Sequence, residues 1–310
     1  MSDRAGDACP VALRGIVPSL NTPFTAADKV DVAGLCRLVD HVVASGCAGM
    51  LALAVAGEAA SLSAGEADLV AETVVGHAAG RLPVILSVTA DDQAERCRRA
   101  ARARALGADG VLCQPPAGVG AADRLAMLRA VGAAGPDLLM IQDLDWHGPG
   151  LPIAEIVDLF ERIPAVRCLK VEVVPAGPKY SAVLAATGGR LHVGGGWAVS
   201  QMMDALARGV HAFMPTAMES VYVAIHRHHA AGREAEARRL FEAVLPVLAF
   251  ANQHIDVSIR FLKQLRLATG VFATDRCRPP VPDFDPVQQR EADRLIDRVT
   301  ALERDLSAAP

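Results

Sequence analysis

The chain has 310 residues, 52% of them hydrophobic and 21% charged, with a formal net charge of -4 and a pI near 6.1. The length allows one large α/β domain or two ordinary ones, and the apolar content argues against disorder. The mild acidity gives no reason to expect a nucleic-acid or anionic-membrane partner. No apolar run reaches the length of a membrane helix, and the first residues, Met1 to Asp7, lack the apolar core of a signal peptide. Seven cysteines are scattered singly without a CxxC pair or a metal-ligand spacing. Reduced thiols and a cytoplasmic location are therefore the expectation.

Along the chain, short apolar runs alternate with amphipathic stretches. The runs 15–20, 49–53, 84–88, 110–114, 138–142, 166–173, 191–194 and 210–214 read as strands. Helical patterns fall between them at 32–45, 65–79, 92–106, 122–133, 153–162, 178–187 and 199–208. Gly107 and Gly209 follow two of these helices at equivalent places and read as C-caps. Eight strands, each followed by a helix, predict a (β/α)8 TIM barrel of the α/β class. Beyond residue 215 strands cease, and 219–230, 234–252, 256–269 and 286–304 read as helices. The expected organisation is an N-terminal tail over 1–14, a barrel over 15–218 and a C-terminal helical extension over 219–310, packed on the barrel.

Lysine is scarce, with Lys29, Lys170, Lys179 and Lys263 the four among 31 Lys and Arg residues. Three of them stand in polar or turn-like sequence contexts. Lys170 instead lies inside a run of β-branched and apolar residues from Val166 to Val174. A solvated cation in this chain is nearly always arginine, so a lysine in an apolar strand points to chemistry that guanidinium cannot perform. An amine in a dry pocket can lose its proton and attack a ketone to form an imine. The plain alternative is a snorkelling or ion-paired lysine. Glu172, two residues on, points to the same face of the strand. The pair is thus either a self-neutralising ion pair or an imine-forming lysine with its acid/base group.

Barrel enzymes build their sites from the C-terminal strand ends and the loops that follow. That rule selects Asn21 to Phe24, Ala54 to Glu58, Gln142 and Asp143, Lys170 and Glu172, and Gly194 to Gly196. The small residues Val55, Ala56 and Gly57 let backbone N–H groups approach an anion, while Glu58 anchors the loop more readily than it reacts. Gln142 and Asp143 either stand at the rim or satisfy loop backbone. The glycines before Trp197 read as a tight turn against substrate. His226, His228 and His229 read as a solvated helix face, because no carboxylate or cysteine stands at ligand spacing. The basic run Arg96, Arg98, Arg99, Arg102 and Arg104 reads as an outer helix face. Cys113 has no base beside it.

In order and spacing these pieces resemble the dihydrodipicolinate synthase/N-acetylneuraminate lyase family of Schiff-base barrel enzymes. The resemblance runs from Gly15 to about Arg298. It rests on Thr22-Pro23-Phe24, Gly57-Glu58 followed by Leu62-Ser63, Gly107 to Gly110, the Lys170 strand, Gly194-Gly195 and Arg278-Pro279. It implies that Lys170 forms an imine with the keto carbon of pyruvate or another 2-oxo acid, and that no other cofactor or metal takes part. It implies that the turn of Val55, Ala56 and Gly57 receives the substrate carboxylate, with Gly194 and Gly195 against the substrate. It implies a homotetramer as well. The chain departs from the family pattern where Gly-Thr-Thr-Gly-Glu is replaced by Ala54 to Glu58. The usual Tyr-Asn-x-Pro tyrosine is replaced by Gln142, and the basic residue that follows that motif by His147. The glutamate that usually follows the lysine directly stands two on, at Glu172. Gln142 with Lys-x-Glu is similar to the branch containing L-2-keto-3-deoxyarabonate dehydratase, which implies dehydration of a 2-keto-3-deoxy sugar acid. A pyruvate-dependent aldolase or synthase, and a catalytically reduced barrel that binds a 2-oxo acid, are the alternatives.

Overall fold

Polar caps close the apolar stretches into helices at the places the sequence marks. Asp31 accepts from Gly34 N at the head of one helix, Ser63 and Glu66 form a reciprocal capping box at the next, and Asp92 accepts from Glu95 N at a third. The helix-terminating residues Gly107 and Gly209 have φ of 82° and 80°, the left-handed region that glycine enters without strain. The computed structural model describes residues 13–308, with Trp197 and Ala198 described through their backbone alone. Most of the expected 1–14 tail thus lies outside the described residues.

The elements are β1 (Gly15–Ile16), α1 (Val32–Ala44), β2 (Met50–Ala52), α2 (Ala64–Ala78), β3 (Val84–Ser87), α3 (Gln93–Leu106), β4 (Gly110–Cys113) and α4 (Ala121–Ala134). They continue as β5 (Leu139–Asp145), α5 (Ile153–Arg162), β6 (Val166–Val173), α6 (Ala176–Ala186), β7 (His192–Gly195), α7 (Met202–Ala207) and β8 (Ala212–Phe213). Four helices follow, α8 (Glu219–Ala230), α9 (Glu234–Ala251), α10 (Ile255–Ala268) and α11 (Pro286–Ala308). The strands share one sheet in the order β1-β8-β7-β6-β5-β4-β3-β2, and the first strand pairs in parallel with the last, Gly15 with Ala212 and Ile16 with Phe213. Consecutive parallel neighbours with the first strand beside the eighth define the (β/α)8 barrel.

The strands β1 and β8 are cut back furthest from their apolar runs, by four and three residues, and β5 runs on beyond its own. β1 and β8 have two residues each, because Pro18 and Pro215 lack the N–H that would extend the ladder. The chain rejoins β2 only at an isolated parallel bridge, Ser19 with Leu51. β5 runs on through Asp143 and Asp145, which pair with Val171 and Val173 of β6. Their acidic side chains read as loop in the sequence.

The chain forms two compact units. In the first, residues 13–17 and 83–214, the buried strands β3 to β8 carry α3 to α7. In the second, residues 18–82 and 215–308, β2 and its flanking helices group with the four C-terminal helices. The second unit holds a buried ion pair in which the Arg266 guanidinium meets the fully buried Glu219 carboxylate through both terminal nitrogens and also donates to Thr216 O. Among the described residues no helix is long and apolar enough to cross a membrane.

Candidate active site

Residues paired across neighbouring parallel strands project from the same face of the sheet, so the register sorts the first unit's side chains into levels. Met140, Cys168 and His192 form one level, and Gln142, Lys170 and Gly194 the next. Leu144 and Glu172 form a third. Lys170 and Glu172 are two residues apart on β6 and meet side by side, Lys170 Nζ 3.2 Å from Glu172 Oε2. Gln142 Nε2 donates to that same oxygen at 2.5 Å. All three side chains are largely buried, the Lys170 side chain 5% exposed and that of Glu172 13%.

The glycines at the end of β7 and just past it are what make room. A Cβ on Gly194 would stand 3.1 Å from Ala212 O and 3.3 Å from Met214 Cε. A Cβ on Gly196 would overlap Glu172 Oε1 and stand 3.0 Å from Lys170 Cε. Gly196, which the strand-end rule selects together with Gly194 and Gly195, thus leaves the room that Glu172 and Lys170 occupy. Tyr180, fully buried on α6, has a hydroxyl with no hydrogen-bond partner among the described residues. Burial first, and the Glu172 charge second, raise its pKa well above the usual phenol range, so it is a poor substitute for the missing tyrosine. Burial pushes the Cys113 thiol up to about 12, which removes it as a nucleophile.

Two further lysines are buried, contrary to the polar or turn-like contexts read from the sequence. Lys179, on α6, ion-pairs with Asp143 of β5 at 2.7 Å and donates to Pro149 O and Leu151 O at 2.6 and 2.5 Å. Asp143 in turn accepts from Leu151 N at 2.8 Å, so of the two roles open to it in the sequence it satisfies loop backbone. Lys263, in the second unit, pairs with the Glu58 carboxylate, donates to Arg276 O and lies 4.3 Å from the Phe24 ring centroid. Local sequence carries no sign of this burial, because Glu58 lies 205 residues from Lys263 and Asp143 lies 36 from Lys179.

The Val55–Gly57 turn is a single 3-10 turn within the second unit. Asn21 Nδ2 donates to Ala56 O at 2.8 Å and Thr22 Oγ1 to Gly57 O at 2.7 Å. Glu58, at φ 54°, anchors the turn by accepting from Arg278 N at 2.8 Å as well as from Lys263. The Gly57 N–H is committed to Ala54 O at 2.9 Å, which leaves close backbone approach, not donation, as that glycine's contribution. A Cβ there would meet Leu20 O at 2.9 Å. Arg96 is buried and bonds to Gln93 and to Asp91 O, so it leaves the outer face assigned to the basic run. His147 is exposed, and His226, His228 and His229 are half-buried. Among the described residues no group of three or more His, Cys, Asp or Glu could hold a metal ion.

The profile of the dihydrodipicolinate synthetase family matches residues 12–299. The chain belongs to that family. L-2-keto-3-deoxyarabonate dehydratase of Azospirillum brasilense is 26% identical over 298 residues, covering 93% of this chain and 95% of that protein. A 4-hydroxy-tetrahydrodipicolinate synthase of Methylococcus capsulatus is 38% identical over 104 residues, 34% of this chain and 36% of that one. Among solved structures, the sialic acid aldolase of Ruminococcus gnavus superposes with a TM-score of 0.87 at 19% identity, covering 95% of this chain and 99% of its own. Dihydrodipicolinate synthetase family members of this kind are lyases, and this chain is a lyase-family barrel.

Proposed function

We propose that the protein is a Schiff-base hydro-lyase that dehydrates a 2-keto-3-deoxy sugar acid. The observation that carries this reading is the buried Lys170–Glu172 contact at 3.2 Å with Gln142 bonded to the same carboxylate oxygen. The full-length similarity to a keto-deoxy acid dehydratase supports it. Glu172 stands where it can take a proton from the Lys170 ammonium, freeing the amine to attack the C2 ketone. The protonated carboxyl returns that proton to the C2 oxygen, which takes a second proton from the attacking nitrogen and leaves as water as the protonated imine forms. The carboxylate so restored removes a C3 hydrogen made acidic by the imine. The enamine electrons then expel the C4 hydroxyl, which takes the same proton and departs as a second water. Hydrolysis of the remaining imine adds one water back and releases the product and Lys170. The imine is the electron sink, and the reaction as written uses no further cofactor.

Gln142 replaces a proton-relaying phenol with an amide that can only hold and orient, and it holds Glu172. For the second unit we propose that Val55 and Ala56, whose N–H groups stand at the open start of a 3-10 turn, and the close-packed Gly57 receive a substrate carboxylate. Gly194 and Gly195 are proposed as substrate contacts. A closed symmetric homotetramer is proposed from the resemblance, and light scattering that finds a monomer at micromolar concentration contradicts it.

The deciding experiment supplies 2-keto-3-deoxy sugar acids and follows the products. A dehydrated 2-oxo acid semialdehyde without pyruvate supports the hydro-lyase. Pyruvate with a shorter aldehyde assigns the chain to carbon–carbon cleavage with the same imine. Failure of any 2-oxo acid to form an imine leaves a binding barrel.

A further inference from the structure

We infer that Lys179 is a positioning residue for the Lys170–Glu172–Gln142 group, acting through Asp143 and the loop that follows β5. The inference rests on the imine reading above. A lysine ammonium has three N–H donors. Three oxygens surround Lys179 Nζ, Asp143 Oδ2 at 2.7 Å, Pro149 O at 2.6 Å and Leu151 O at 2.5 Å. The Lys179 and Asp143 side chains are 7% and 3% exposed, so this contact is made out of water. Lys170, nine residues earlier in the chain, is also buried but faces a carboxylate that Gln142 shares. The two buried lysines of the first unit therefore have separate tasks. One is open to react, and the other is enclosed by acceptors.

The clamp reaches the site by the alternation of a strand. Gln142 and Asp143 are consecutive on β5, so their side chains leave from opposite faces, Gln142 toward Glu172 and Asp143 toward Lys179. Fixing Asp143 fixes the peptide from which Gln142 departs. The loop is folded onto the same clamp. Leu151 N donates to Asp143 Oδ1 at 2.8 Å, and Val174 N, just past β6, donates to Gly148 O at 3.1 Å. Gly150 has φ 67°, and a Cβ there would stand 2.6 Å from Val173 Cγ1 and overlap Asp143 Oδ1. The loop after β5 is thereby tied to Asp143, next to Gln142, and to the end of β6, next to Glu172. The 2.5 Å bond from Gln142 to Glu172 depends on that spacing, because a displacement of about 1 Å at a reacting group costs up to about a hundredfold in rate.

The test uses the full chain with Lys179→Met, and separates imine formation from proton transfer. Borohydride trapping of pyruvate should still label Lys170 fully. Exchange of the pyruvate C3 hydrogens in deuterated water should fall roughly ten- to a hundredfold, and kcat should fall with it while KM changes less than about threefold. A folded Lys179→Met that exchanges at the wild-type rate overturns the inference, as does one that loses trapping and exchange together. Removing one member of a buried ion pair can unfold a protein, so the double variant Asp143→Leu with Lys179→Met is made in parallel. It removes both charges and leaves the loop carbonyls unclamped. Slow exchange in a folded double variant supports the positioning role, and wild-type exchange refutes it. If wild-type protein itself traps no 2-oxo acid on Lys170, the imine reading has failed instead, which the same gel or mass spectrum shows.

Discussion

Gly196 and Glu172 share one small volume. A Cβ built on Gly196 would overlap the Glu172 Oε1 oxygen and stand 2.7 Å from its Cδ, so the carboxylate keeps its place only because residue 196 has no side chain. The glycine φ of -75° at that point is open to any residue, so space and not backbone strain imposes the requirement. Gly196→Ala should therefore fold and should still form the imine, but with C3 exchange reduced by about ten- to a hundredfold as Glu172 is pushed aside. Exchange at the wild-type rate would show that the carboxylate position is not critical.

Lys170→Arg keeps the charge and removes the nucleophile, because guanidinium stays protonated. Borohydride with pyruvate or a 2-keto-3-deoxy acid should leave an adduct on Lys170 of the wild type and none on the variant, as read by peptide mass spectrometry. Lys179 and Lys263, each enclosed by oxygen acceptors, should stay unmodified. An adduct on either of them instead would sink the assignment of Lys170.

Glu172→Gln should leave imine formation measurable while turnover falls by about two to four orders of magnitude, the usual contribution of a positioned acid/base group. Deuterium should enter C3 of a bound 2-oxo acid with the wild type and not with the variant. Gln142→Ala, which removes only the 2.5 Å bond to the carboxylate, should be milder in both assays. A Glu172→Gln protein with near wild-type turnover would reduce Glu172 to a structural partner of Lys170.

His192 and His211, at the start of β7 and just before β8, give the fold an acid limit. Their rings lie 4.9 Å apart. Burial, with the neighbouring ring second, holds His192 down to about 4, and burial with the Arg14 charge does the same for His211. The unfolded chain, with histidines near 6.5, then binds more protons than the native state between about pH 6.5 and 4. Stability is complete above that window and falls as pH drops through it, by an amount on the order of 3 kcal/mol for His192. His211 Nδ1 also accepts from Val193 N at 2.9 Å, an acceptor that protonation removes. Urea midpoints at pH 7 and pH 4.5 should differ accordingly, and His192→Asn should flatten the difference. Equal midpoints in the wild type would contradict the buried neutral pair.

Among the described residues, periodicity alone located the eight strands and eleven α-helices to within a few residues, since apolar spacing and caps are local properties of the chain. Lys170 and Glu172 were legible for the same reason, because two residues apart on a strand means one face. Gln142 was marked by its place at a strand end, but its bond to Glu172 depends on the β5–β6 register, which pairs residues 28 apart and which no local pattern encodes. The burial of Lys179 and Lys263 likewise depends on partners remote in sequence, so their polar neighbours gave the wrong impression. Pro18 and Pro215 cut β1 and β8 short through a missing donor visible in the sequence, whereas Asp143 and Asp145 joined β5 only because a neighbouring strand was there to pair with them. The sequence by itself determined which residues could react; the tertiary structure decided which carboxylate oxygen faces the amine and which glycine leaves it room, because those depend on distances between strands that the chain order does not contain.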